Sequence, residues 1–140
     1  MLIALNKPYG VLCQFTDSGA VPEHGRPPRP TLAQFVRVPN VYPAGRLDQD
    51  SEGLLLLTDD GALAQRLTAP RYQMAKTYLV QVEGEPSEIQ LEQLRQGILL
   101  NDGPTLAARA VRLSAAPGWL WPRDPPVRFR KTVPDAWIEL

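Results

Sequence analysis

The stretch GRLDQDSEGLLLLTDDG, residues 45–61, sets Arg46 and Asp48 two positions apart, just before the most apolar run of the chain. A loop that enters a buried strand holds its side chains against a rigid wall while leaving them accessible, a common placement for catalytic groups. There a carboxylate can act as nucleophile or base, and a planar guanidinium can stack or bind phosphate. The same residue types also serve purely structural ends. Asp48, Asp50 and Ser51 can cap turns, and Arg46 can pair with a carboxylate, so the residues alone leave both readings open.

The elements around this loop must position it. Leu2 to Leu5 reads as a strand, followed by a Pro-Gly turn and a short second strand at Val11 and Leu12. The segment GAVPEHGRPPRP forbids regular structure and ends at Thr31, the expected N-cap of a short helix through Leu32, Phe35 and Val36. Leu54 to Leu57 is bounded by Gly53 and by Asp60-Gly61, which predicts a buried strand. The acids Asp59 and Asp60 then close it and cap a helix over GALAQRLT that stops before Pro70. KTYLVQVEG alternates as a strand does, with Tyr78, Val80 and Val82 on one face. Ser87 and Gln90 form a capping box for a helix ending at Gly97. Asn101-Asp102-Gly103 predicts a hairpin joining Ile98–Leu100 to an arm around Leu106–Leu113, and AWIEL opens a last strand. Strands with helices interspersed and no βαβ rhythm predict an α+β fold with a mixed, mainly antiparallel sheet and flanking helices, in one domain over residues 1–140.

With 140 residues and a hydrophobic fraction of 44%, the chain can build a genuine core. No apolar run approaches a membrane span and the start lacks a signal-peptide pattern, so a cytoplasmic protein is expected. One cysteine, Cys13, cannot close an internal disulfide, and with the single histidine, His24, it makes no zinc-binding pattern, so no metal is expected. The formal net charge is zero, but its distribution is uneven. Asp48, Asp50, Glu52, Asp59 and Asp60 cluster without a base among them, whereas RDPPVRFRK carries Arg123, Arg128, Arg130 and Lys131 against Asp124 alone. With Trp119, Trp121 and Phe129 nearby, that basic stretch has the mixture of cations and rings that RNA contact favours. The opposing reading is a solvated charge run whose tryptophans plug the core.

Residues 45–61 resemble the signature of the pseudouridine synthases that modify ribosomal RNA. NKPYGVLCQ resembles that family's first motif, KTYLVQVEG its Lys-x-Tyr strand, and LRQGILLNDGPTLAA its following helix and hairpin. WLWPRDPPVRFRKTVPDAW is similar to a Trp- and Pro-rich loop of the large-subunit branch, for which no RNA-binding domain of the S4 type is expected before residue 1. The resemblance implies isomerisation of uridine to pseudouridine in large-subunit (23S) ribosomal RNA, a reaction in which no group enters or leaves and no cofactor is needed. It places the essential carboxylate at Asp48, as covalent nucleophile at C1′ or as base toward the 2′ proton. Arg46 matches the arginine that enters the space vacated by the flipped base, and Tyr78 the tyrosine that packs on the uracil. Lys76, Arg123, Arg128, Arg130 and Lys131 are candidate RNA contacts. The implied partner is ribosomal RNA, free or in a partly assembled large subunit, bound by a monomer without membrane contact.

Family members continue the strand that begins at Trp137-Ile138-Glu139-Leu140 into a turn and a basic helix. The expectation is therefore a synthase domain incomplete at its C-terminus, weakly active or inactive by itself. The alternative is a non-catalytic RNA-binding remnant of such an enzyme.

Overall fold

The structure is a computed structural model that describes residues 1–18, 27–127 and 131–140. Its strands and helices gather into two compact units. Met1–Met74 with Arg123–Pro125 form the first, and Ala75–Pro122 with Pro126–Leu140 the second.

In the first unit, strand β1 (Leu2–Lys7) runs antiparallel to β3 (Gly53–Thr58), from Leu2 opposite Thr58 to Lys7 opposite Gly53. The short β2 (Tyr42–Pro43) pairs with the other side of β3, so the leucine run is the central strand. Alternation decides which leucines are buried. Leu55 and Leu57 join Val11, Leu32, Val36 and Val41 in a core edged by Ile3, Leu5, Phe15 and Leu47. Leu54 points the other way and is 69% exposed, so the predicted buried strand is buried on one side only. Helix α1 (Gly61–Thr68) follows directly, its first amides at Ala62 and Leu63 held by the Asp60 carboxylate at 2.9 and 3.0 Å, the capping predicted for this acid.

Two predictions for the segment between β1 and β2 are corrected. Leu12 makes only an isolated parallel bridge to Thr31, and the expected helix is a single 3-10 turn, Leu32–Gln34. The Thr31 hydroxyl goes to the Phe15 carbonyl at 3.3 Å and makes no cap, so the expected helix start lacks its side-chain acceptor. Pro39 also turns Val38 away from helical backbone. Arg29 donates to Asp17 through its amide and its guanidinium, tying together the described flanks of residues 19–26. His24 lies outside the described residues.

In the second unit, β8 (Asp135–Glu139) lies between β4 (Leu79–Glu83) and β7 (Val111–Leu113), antiparallel to both. The arm expected to complete the 101–103 hairpin therefore joins β8 instead. The tight hairpin pairs only β5 (Leu99–Leu100) with β6 (Gly103–Pro104). Helix α2 (Glu88–Gln96) starts with the predicted capping box of Ser87 and Gln90, and it buries Leu91 against Ala110 and Ile138, with Val82, Leu94 and Leu140 around them. Gly97 ends α2 at φ +95°, where a Cβ would stand 2.8 Å from the Thr105 carbonyl oxygen. All named strands pair antiparallel, in keeping with the α+β class read from the sequence. Among the described residues no helix is long and apolar enough to cross a membrane.

Candidate active site

The loop from Ala44 to Glu52 is fastened at several points. At its entry the Ala44 amide donates to the Leu56 carbonyl at 2.7 Å, and at its middle the Ser51 amide closes a turn on the Asp48 carbonyl at 3.1 Å. Leu47 packs on the core of the first unit, whereas Gln49 is bonded on both sides to the turn after β1. The Gly10 amide donates to the Gln49 carbonyl at 2.8 Å, and the Gln49 side-chain amide donates to the Gly10 carbonyl at 3.2 Å. Gly10 takes φ +80°, which a side chain rarely tolerates. Asp48 is thus held by both neighbours while its own side chain is exposed. Arg46 is exposed as well, and among the described residues no ion pair to it is found.

Beneath this turn lies Lys7, a lysine with no exposed surface. Its ammonium donates to the Val11 carbonyl at 2.7 Å and the Pro8 carbonyl at 3.1 Å, so it closes the turn from inside. Burial pushes its pKa below the ordinary lysine value, and the nearby carboxylates of Asp50, Glu52 and Asp48 act in the opposite direction. Hydrogen bonds to two carbonyls and the field of these acids make a buried ammonium tolerable here.

The sequence leaves Arg123 either an RNA-facing cation or part of a solvated charge run. The structure instead turns it onto Tyr9, with the guanidinium carbon 3.6 Å from the ring centroid, and leaves its side chain 22% exposed. A cation so close over a ring contributes about 0.5–2 kcal/mol, more as it is desolvated. Lys131 is exposed, while Arg128, Arg130 and Phe129 lie outside the described residues. Trp119 and Trp121 are 69% and 71% exposed, so neither plugs the core.

Tyr78 belongs to the second unit, just before β4, where its amide and carbonyl pair with Leu140 at 2.7 and 2.9 Å and prolong the β4–β8 ladder. Its side chain is 52% exposed, which removes the reading of Tyr78 as a core residue. Lys76 is exposed in the same segment. Arg46 and Asp48 share one loop of the first unit, as predicted. Reasoning from sequence did not single out Lys7, Tyr9 or Gln49. The available signal was a lysine inside a strand pattern immediately before Pro8 and a tight turn, a position that alternation assigns to the core face.

A profile of the RNA pseudouridylate synthase family matches residues 1–110. Ribosomal large subunit pseudouridine synthase E of Xanthomonas campestris is 64% identical over 140 residues, covering 100% of this chain and 71% of that protein. The protein of the same name from Vibrio vulnificus is 51% identical over 139 residues, covering 99% of this chain and 55% of its own length. Ribosomal small subunit pseudouridine synthase A of Escherichia coli is 39% identical over 110 residues, covering 76% of this chain and 44% of that protein. A crystal structure of a pseudouridylate synthase superposes with a TM-score of 0.70 at 29% identity, covering 99% of this chain and 50% of the other. With a family profile over residues 1–110 and relatives matched over the whole chain, the chain belongs to the RNA pseudouridine synthase family.

Proposed function

We propose that the protein isomerises uridine to pseudouridine in large-subunit (23S) ribosomal RNA, with Asp48 as its essential carboxylate. The observation that carries this reading is the fastening of the loop: Leu47 packed in the core, Gln49 bonded to Gly10, and the exposed Asp48 between them. A reacting carboxylate has to reach the sugar and yet be held in place, and a side chain fixed through both neighbours meets both demands. The match to a large-subunit enzyme over the whole chain supports the choice of substrate.

The reaction breaks the bond between N1 of uracil and C1′ of the ribose, turns the base, and joins C5 to C1′. Asp48 serves at the sugar, either by attacking C1′ or by taking the 2′ proton. In both routes the base must first leave the stack. Arg46, exposed on the same loop, suits the space that the base vacates. Tyr78 offers a half-exposed ring whose face grips a uracil without fixing its rotation. Lys76, Lys131 and the basic stretch from Arg128 to Arg130 are proposed to contact phosphate, and the protein is proposed to work as a cytoplasmic monomer without a cofactor.

The new C–C bond at C5 frees the hydrogen there, so tritium release from ribosomal RNA labelled at uracil C5 reports turnover. Under single-turnover conditions with enzyme in excess, Asp48→Ala is expected to lower the rate by about 10²–10⁴-fold while RNA affinity stays the same. Equal release by parent and variant would remove Asp48 from the chemistry. RNA binding without release by either protein would favour a non-catalytic remnant.

A further inference from the structure

The turn that holds the Asp48 loop is itself held from outside. Tyr9 precedes Gly10, the residue bonded twice to Gln49, and its ring carries the Arg123 guanidinium at 3.6 Å. The Nε of the same arginine lies 4.0 Å from the Glu52 carboxylate, at the exit of the loop into β3. One side chain therefore touches both the support of the loop and its end. Arg123–Pro125 belongs to the first unit although the residues on either side of it belong to the second.

The chemistry of the contact argues against a phosphate ligand. The Arg123 side chain is 22% exposed, and its Nε is buried without a hydrogen bond among the described residues. A donor aimed at an RNA phosphate must be open to solvent before the RNA arrives. Here one face of the guanidinium lies on a ring and its Nε edge is shut off toward Glu52. Building on the proposed role of Asp48, we propose that Arg123 is a positioning residue, which holds the Asp48 loop through Tyr9 and Glu52 and does not bind phosphate itself.

The test compares the 140-residue chain with Arg123→Met, which keeps the volume, Arg123→Lys, which keeps a cation over the ring, Tyr9→Leu, and the Arg123→Met/Tyr9→Leu pair. Three quantities are read: single-turnover tritium release, RNA affinity as a function of salt, and amide exchange by NMR at Gly10 and Ser51. Arg123→Met is expected to slow turnover by about 10–100-fold, as a small misplacement of a reacting group does. Its RNA affinity and salt slope should stay those of the parent. Arg123→Lys should recover most of the rate, and the pair should be no slower than the worse single variant. Exchange at Gly10 and Ser51 should quicken about tenfold or more in Arg123→Met while the amides of β3 keep their protection.

A fall in affinity together with a salt slope reduced by about one would make Arg123 a phosphate ligand and overturn the proposal. Unchanged exchange at Gly10 and Ser51 would overturn it too. If neither the parent nor Asp48→Ala releases tritium, the functional reading fails by itself, and the exchange measurement still decides whether Arg123 holds the loop.

Discussion

At the scale of single residues, the site rests on a buried lysine. Lys7→Met removes the donor from the Pro8 and Val11 carbonyls and leaves these acceptors without a partner. Relief from burying a charge offsets part of this loss, but a buried unsatisfied acceptor costs about 1–3 kcal/mol, and two are exposed to that cost. Lys7→Met is therefore expected to lower stability at neutral pH by about 1–3 kcal/mol, read from the urea midpoint. The pH dependence has a definite sign. Because the folded pKa lies below the ordinary value of 10.5, the unfolded chain holds a proton in the interval between the two that the folded chain has released. Stability gained from Lys7 accordingly rises with pH across that interval, and the penalty for charging the buried amine is complete below it. In alkaline urea titrations the parent should gain stability relative to Lys7→Met as pH approaches 10.5, and a constant difference would show that burial does not govern this amine.

At the scale of elements, the junctions carry more constraint than the interiors. Helix α2 passes into β5 through Gly97, whose backbone is left-handed at φ +95° and whose missing Cβ leaves room for the Thr105 carbonyl. Gly97→Ala meets both obstacles at once, since the strained conformation costs about 1–3 kcal/mol and the neighbour is backbone that cannot swing aside. A loss of that size in thermal or urea unfolding is expected, and a neutral substitution would mean that the end of α2 can be rebuilt. Capping chemistry made these junctions legible in the sequence: Asp60 before α1, Ser87 with Gln90 before α2, and Gly97 after it all act locally, within one turn. The helix expected after Thr31 failed for the opposite reason. Its capping hydroxyl was claimed by the carbonyl of Phe15, 16 residues away in the chain.

At the scale of the whole molecule, two small cores carry the structure, one around Leu55 and Leu57 and one around Leu91, Ala110 and Ile138. Leu57 is fully buried at the centre of the first, on the strand that the Asp48 loop enters. Leu57→Ala should remove about 2–5 kcal/mol. Against a typical domain stability of about 5–15 kcal/mol, this is a large fraction, detectable as a fall in melting temperature. Alternation, capping residues and the GRLD loop are local patterns, so the sequence by itself determined the strands β1, β3, β4 and β8, the helices α1 and α2, the α+β class with its mainly antiparallel pairing, and the loop that carries Arg46 and Asp48. Only the tertiary structure decided what lies far apart in the chain: which side of β3 the core covers, that β7 pairs with β8, and that Arg123 folds onto Tyr9. These outcomes depend on which distant group reaches a buried acceptor, an open ring or a free strand edge first, a competition in space that no spacing along the chain records.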